Sequence, residues 1–429
     1  MKKTLLLLCL ILAANLSSQT PTQKVSHVLT DGSPSDEGMS VERLDRIDSM
    51  LKQAIAADQV PGAVALIARN GKIVFHRAYG MSENATSSAM NKDAIFRIAS
   101  QTKAITATAV MILWEEGKFR LDDPVSKFIP EFAEPQILDT FNEADSTYTA
   151  NTSDKEITIR HLLTHTSGLG YGVIDGDERF RKIYHKAGIT DLFTTEDISI
   201  GESVKKLAVL PLHHTPGETF TYSEGLDVLG YFVEVVSGMP FDKFLRSRIF
   251  DPLGMNDTWF YLPEDKHARL IPVQHKNEGK WENYPVTFYD PDYPKKGAMR
   301  FFSGGAGLSS TVKDYAIFLQ MYLNGGAYNG TRILSRTTVR SIMGNQIGNI
   351  WEDGPKHYGL AFGVVNAKGQ DMGGEGSIGT FDWGGYFNTQ YFADPQEQII
   401  GVLFKQVRGD FTDDTGWKFR QMVFAAVDD

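Results

Sequence analysis

The chain has 429 residues, 42% of them hydrophobic and 22% charged, the balance of a soluble globular protein long enough for one large domain or two lobes. A formal net charge of -10 at pH 7 argues against nucleic acid or an anionic membrane surface as partner.

The first element is a leader. Lys2 and Lys3 precede an apolar run from Leu5 to Ala14, and small polar residues follow up to Ser18 and Gln19. That is the pattern of a secretory signal peptide over residues 1–18, and the run is shorter than the roughly 20 residues of a spanning helix. Cleavage there removes Cys9, the single cysteine, and so excludes disulfides, thiolate metal sites and cysteine catalysis. The expectation is an exported protein, periplasmic or secreted, with no transmembrane anchor in the mature chain. Residues 19–38 are polar and read as a mobile leader.

Ser40 then caps a helix whose residues Val41, Leu44, Ile47, Leu51 and Ile55 form one apolar stripe. Two apolar runs, Ala63 to Ala68 and Ile73 to Tyr79, flank Asn70-Gly71, a strong hairpin signal. From Ala94 to Trp114 the only charges are Arg97 and Lys103. A long middle region reaches about residue 295, and its segments Glu134 to Glu156 and Ile174 to Glu202 read as surface insertions or lids. Ser310 is expected to cap a helix from Thr311 to Asn324. Strands are expected at Tyr358 to Val365, Tyr386 to Ala393 and Ile399 to Lys405, with an amphipathic helix from Gly416 to Val427 closing the chain. Strands at both ends and helices between predict an α+β fold. Its α/β lobe would span about 39–115 plus 296–429, with a helical lobe of about 116–295 inserted.

The apolar segment holds the candidate chemistry. Ser100 stands at the first turn of a helix, where free N–H groups and the positive helix end can stabilise an oxyanion. Lys103 is one turn deeper on the same face. Burial disfavours its ammonium form, and a neutral amine can take the serine proton. The Ser-x-x-Lys spacing alone is weak, because Ser49/Lys52, Ser203/Lys206 and Ser310/Lys313 repeat it. Only Lys103 lies in a stretch that would bury it. The alternative reading is a capping serine with the lysine reaching solvent. His161 and His165 have i, i+4 spacing, but no third ligand accompanies them, so no metal is expected. His213-His214 lies in a loop near Tyr222 and receives no role. Gly-x-Ser-x-Gly is absent, which counts against an α/β-hydrolase.

Several separated stretches add to this. They are FRIASQTK (96–103), LDDPVSKFIPEF (121–132), HLLTHTSGL (161–169), FTYSEGLDVLGYFVEVVSGMPF (220–241), FDPLGM (250–255) and SGGAGLSSTVKDYAIFL (303–319). With them the chain resembles the class C β-lactamase and penicillin-binding-protein superfamily of serine hydrolases. The resemblance implies a β-lactamase-like fold, an antiparallel sheet flanked by helices with an inserted helical lobe. It implies an acylated Ser100, activation by Lys103 and proton sharing by Tyr222, without a cofactor.

Two departures bear on substrate. Tyr222-Ser223-Glu224 stands where the family often has Tyr-x-Asn. Trp383-Gly384-Gly385, before Tyr386, stands where β-lactamases have Lys-Thr-Gly; His357-Tyr358-Gly359 is a rival match. The amides of Ser100 and Tyr386 would then hold the oxyanion. Gln101, Glu224, Trp383, Gly384, Gly385 and Tyr386 are the expected substrate contacts. Replacing a cation by Trp383, and placing the charge of Glu224 nearby, disfavours anionic substrates and is similar to the family VIII carboxylesterases. Glu224 turned away from the cleft, and Trp383 as mere packing, are the alternatives. The expected activity is hydrolysis of small neutral esters. β-Lactamase, D-amino-acid peptidase or amidase activity of the same fold comes next, and a penicillin-binding sensor module after that. A small ester or amide is the expected partner.

Overall fold

The computed structural model describes residues 26–83, 86–409 and 413–429. The signal peptide expected at residues 1–18 lies outside them. No helix among the described residues is long and apolar enough to cross a membrane.

In place of an unstructured leader, residues 26–38 run along the protein. Strand β1 (Thr30–Asp31) pairs in parallel with the later strand at Lys72 and Ile73, and Leu29 beside it is buried. Helix α1 (Val41–Ala56) starts where expected, with the Ser40 hydroxyl accepting the Arg43 amide. Its buried stripe is Leu44, Ile47, Met50, Leu51 and Ala54, whereas Val41 is 49% exposed. Strands β2 (Gly62–Arg69) and β3 (Lys72–Glu83) form the hairpin. Asn70 and Gly71 both turn with positive φ, 52° and 77°, the conformation that Asn-Gly favours between two strands. The short β4 (Ser88–Ala89) adds to β3.

Helix α2 (Thr102–Glu115) is buried almost all round. Helix α3 (Gly225–Ser237) lies against it. Helix α4 (Val312–Leu323) is capped by Thr311, which accepts the Asp314 amide. Ser310, the expected cap, belongs instead to a two-residue ladder with Phe96, and its hydroxyl meets that of Thr258. Five further strands follow: β5 (Lys356–Tyr358), β6 (Gly363–Val365), β7 (Phe381–Gly385), β8 (Thr389–Asp394) and β9 (Ile399–Phe404). Helix α5 (Thr415–Ala425) ends the fold.

The expected strand Tyr358 to Val365 is thus two strands with a reversal, where Ala361 takes φ 67°. The expected strand starting at Tyr386 begins only at Thr389, because Tyr386 to Asn388 form a turn with Asn388 at φ 66°. Of the two expected loops, one is a hairpin, Gln136–Asn142 with Thr147–Thr152. The other contains the helix Glu178–Lys186, capped by Asp177.

The sheet order is β1-β3-β2-β9-β8-β7-β6-β5, antiparallel except at β1, so strands from both ends of the chain meet at β2 and β9. Strand β2 is buried on both faces. Ala63, Ala65 and Ile67 face α1 and α5, while Val64, Leu66 and Ala68 face the larger core of α2, α3 and α4. This two-residue alternation clamps the sheet between helical layers. It presents the β7 edge to the start of α2.

Candidate active site

Ser100 sits in a 3-10 turn, Ala99–Gln101, that runs into α2. Ala99 takes φ 43°, a conformation L residues rarely adopt and one that recurs at functional sites. The turn is fixed from both sides. The Ile98 amide donates to the Leu308 carbonyl at 3.0 Å, and Thr102 Oγ1 accepts the Leu308 amide at 3.1 Å. Ser100 is half-buried. Gln101, expected to touch substrate, is 0% exposed and its amide group has no partner among the described residues. It faces the interior because the turn points Ser100 outward.

Lys103 is 1% exposed. Its Nζ lies 3.3 Å from Ser100 Oγ and donates to the Gly305 carbonyl at 2.7 Å. The same Nζ stands 4.7 Å from the Tyr222 ring centroid and 5.6 Å from that of Tyr171. No carboxylate among the described residues forms a salt bridge with it. The repeats of the spacing have other uses. Ser49 is exposed and bonds the Asp45 carbonyl, and Ser203 is buried against the Thr190 carbonyl.

Tyr222 lies in an irregular segment just before α3. The Thr221 amide donates to the His165 carbonyl at 2.8 Å, and the Ser223 amide to His165 Nδ1 at 3.1 Å. The Tyr222 and His165 rings are 4.5 Å apart. Burial, aided by Lys103, holds the His165 pKa well below its usual value. With Nδ1 accepting an amide proton, the neutral ring carries its proton on Nε2. His165 is therefore a spacer for Tyr222. His161 is not beside it on one helix face: the helix Ile159–Leu163 stops first, and His161 Nδ1 accepts the Thr158 amide in a capping box. His213 pairs with Asp175 at 3.0 Å and stacks on Phe180. His214 bonds Thr221 Oγ1 at 3.0 Å and so braces the Tyr222 segment.

Strand β7 brings the third element. A Cβ on Gly385 would lie 2.4 Å from the Ile98 carbonyl oxygen and 2.2 Å from Thr389 Oγ1, whereas one on Gly384 would meet only a carbonyl at 3.4 Å. Gly385 thus lets the strand touch the Ser100 turn. Trp383 donates its indole N–H to the Tyr222 hydroxyl at 3.4 Å. Tyr386 follows in the turn, with the Arg408 guanidinium 3.6 Å from its ring centroid. The rival His357 is on β5, two strands away, bonded to the Met343 carbonyl at 2.9 Å. Ser100, Lys103, Tyr222, Trp383 and Gly385 therefore converge.

The charge of Glu224 is opposed by its surroundings. It is 3% exposed, and one carboxyl oxygen has no partner among the described residues. Burial, with help from Asp191 and Asp227, pushes its pKa well above the usual range against the opposing pull of Lys103. The charge read from the sequence is thus suppressed toward the neutral acid, and the case against anionic substrates rests on Trp383 alone.

Several site residues have no signature in the sequence. Asp191, Leu192 and Phe193 come from the expected lid Ile174 to Glu202, yet all three are buried. Asp191 accepts the Gly172 and Val173 amides at 2.8 and 3.0 Å. Phe193, Tyr171, Tyr289, Phe387 and Ala99 share an aromatic cluster with Tyr222 and Tyr386. Asp227 on α3 accepts from Ser303 and Gly305; an aspartate among the apolar residues of the helix's first turns is the one available signal. Among the described residues no group of three His, Cys, Asp or Glu side chains is placed to hold a metal.

The Beta-lactamase family model matches residues 47–422. The chain belongs to the beta-lactamase family. Esterase EstB of Burkholderia gladioli is 31% identical over 371 residues, covering 81% of this chain and 86% of that protein. Lovastatin esterase of Penicillium rubens is 27% identical over 409 residues, covering 88% and 98%. A putative D-alanyl-D-alanine carboxypeptidase of Escherichia coli K12 is 28% identical over 359 residues, covering 79% and 76%. Among solved structures, EstCE1, a hydrolase with promiscuous acyltransferase activity, aligns with TM-score 0.75 at 27% identity, covering 90% of this chain and 98% of its own. The family resemblance read from the sequence stands, and the protein is a serine hydrolase of the β-lactamase fold near the family VIII esterases.

Proposed function

We propose that this beta-lactamase-family protein is a carboxylesterase that cleaves small neutral esters through an acyl-enzyme on Ser100. The observation that carries the reading is the approach of Lys103 Nζ to Ser100 Oγ at 3.3 Å, with no carboxylate among the described residues in a salt bridge with it. Lys103, coupled to Tyr222, takes the serine proton as Oγ bonds to the ester carbonyl carbon. The amides of Ser100 and Tyr386 stabilise the oxyanion. The C–O bond to the alcohol then breaks, and the same proton leaves with the alkoxide. Water hydrolyses the acyl-enzyme by the reverse route, giving the free acid and regenerating the serine hydroxyl.

Trp383 at the cation position of the third motif and the aromatic cluster around Tyr171 and Phe193 support an uncharged, apolar acyl group. EstB and lovastatin esterase, both named as esterases, support the same class. The leader at residues 1–18 supports export, with catalysis outside the cytoplasm. The test is turnover of p-nitrophenyl acetate and butyrate beside nitrocefin, by residues 19–429 and by Ser100→Ala. Ester turnover lost in the variant, with little nitrocefin cleavage, is the expected result. Fast nitrocefin cleavage would overturn the substrate class, and full activity of the variant would overturn the nucleophile.

A further inference from the structure

We infer that Asp227 is the positioning residue for Lys103, acting through the turn Ser303–Ala306. The inference rests on the roles proposed for Ser100 and Lys103.

Asp227 is 2% exposed within α3. A carboxyl so placed needs strong partners to be tolerated, and its partners all belong to one turn. Its Oδ1 accepts the Ser303 hydroxyl at 2.5 Å and the Gly305 amide at 3.1 Å, while Ser303 Oγ accepts the Ala306 amide at 3.0 Å. From the opposite side Thr106 of α2 donates to the Gly304 carbonyl at 2.6 Å. The carboxylate lies flat on the turn, for a Cβ on Gly305 would come within 2.3 Å of Asp227 Oδ2.

Gly304-Gly305 is the most pliable dipeptide the chain can place there, yet its carbonyl at Gly305 is the nearest partner of Lys103 Nζ, at 2.7 Å. That bond orients the amine toward Ser100. The clamp therefore runs from Asp227 through Gly305 to Lys103, with no salt bridge or hydrogen bond directly joining the first and last. The other titratable groups around Lys103 are Glu224, whose pKa burial raises, and His165, whose pKa burial lowers, together with Tyr171 and Tyr222; Asp191 lies behind them, against Glu224 and Asp227. Burial raises Asp227 too, but Lys103, Ser303 and Gly305 all favour its ionised form.

The test is steady-state hydrolysis of p-nitrophenyl acetate, with its pH profile, by wild type, Asp227→Ala, Asp227→Asn, Ser303→Ala and Ser100→Ala. Asp227→Ala should lower kcat about 100-fold with KM within about threefold, the signature of a misplaced catalytic group. Asp227→Asn keeps an accepting oxygen and should restore kcat to within about tenfold of wild type. It should also move the acid limb of kcat/KM to lower pH, because loss of a negative charge favours the neutral amine. Ser303→Ala should lose kcat by about tenfold. Wild-type kcat in Asp227→Ala, or an Asn variant no better than Ala and with an unmoved acid limb, overturns the inference while an inactive Ser100→Ala leaves the nucleophile standing. Full turnover by Ser100→Ala overturns the proposed function instead. Should Asp227→Ala fail to fold, Asn and Ser303→Ala decide: wild-type kcat and pH profile in both overturn the clamp.

Discussion

The indole N–H of Trp383 meets the hydroxyl of Tyr222 at 3.4 Å, with the two rings tilted and 5.9 Å apart. This contact joins β7, from the last part of the chain, to a segment from its middle. It supplies the phenol oxygen with a donor, so the Tyr222 proton is free to point elsewhere. Trp383→Phe keeps most of the ring and removes that donor. A single neutral hydrogen bond contributes about 1 kcal/mol, so kcat on p-nitrophenyl butyrate should fall about fivefold with KM nearly constant. Steady-state kinetics check this; a raised KM at constant kcat would make Trp383 a wall of the substrate pocket only.

The two glycines after Trp383 should behave differently. Gly385→Ala forces a methyl into the Ile98 carbonyl and Thr389, and must push β7 off the Ser100 turn. A displacement of this kind is expected to cost about 100-fold in kcat/KM. Gly384→Ala meets only a carbonyl at ordinary contact distance and should remain within about threefold of wild type. Equal losses in the two variants would disprove the role assigned to the close approach.

Glu224 sets a pH dependence of stability. Its folded pKa is raised, chiefly by burial, whereas in the unfolded chain it ionises near the ordinary value of about 4.3. Above that value the unfolded state has released a proton that the folded state keeps, so Glu224 lowers stability as pH rises until its folded pKa is reached. Glu224→Gln does not titrate. Its melting temperature, measured against wild type from pH 4 to pH 8, should show a growing relative gain. A difference independent of pH would mean that Glu224 is ionised in the folded protein.

Lys405 and Asp413 form a buried ion pair, with side chains 0% and 3% exposed, and Asn388 of the Tyr386 turn donates to Asp413 at 2.8 Å. Asp413→Ala strands a buried ammonium, a change that costs about 3–5 kcal/mol. Urea unfolding should report the loss, and ester turnover should fall beyond the unfolded fraction because the turn after β7 loses its anchor. Unchanged stability would show that Lys405 finds water in the variant.

Several local signals are legible in the sequence. The Ser40 cap, the Asn70-Gly71 turn and the Ser100/Lys103 spacing each depend on residues a few positions apart, so the chain itself displays them. The stack of His165 on Tyr222 joins residues far apart in sequence, as does the link from Asp227 to Gly305, and no periodicity encodes either. Tyr386-Phe387 resembles a strand by composition, but burial of Phe387 in the aromatic cluster and the left-handed Asn388 make it a turn. The burial of Glu224 is hidden from the sequence for a related reason. A carboxyl's charge depends on burial, and burial is decided by the whole fold. The convergence of Ser100, Tyr222 and Trp383 was reachable only through the family resemblance.

Strand β9 pairs with β2 along six residue pairs, Val64 to Arg69 against Ile399 to Phe404, and β7 reaches Ser100 only as part of the same sheet. The nucleophile is made a quarter of the way through synthesis, but the strand that completes its surroundings is among the last. A nascent chain on the ribosome is therefore expected to carry no working hydrolase, and a C-terminal truncation before residue 399 is expected to abolish ester turnover even though Ser100, Lys103 and Tyr222 are all present. Timing is built into the topology: the enzyme becomes reactive only once it is whole.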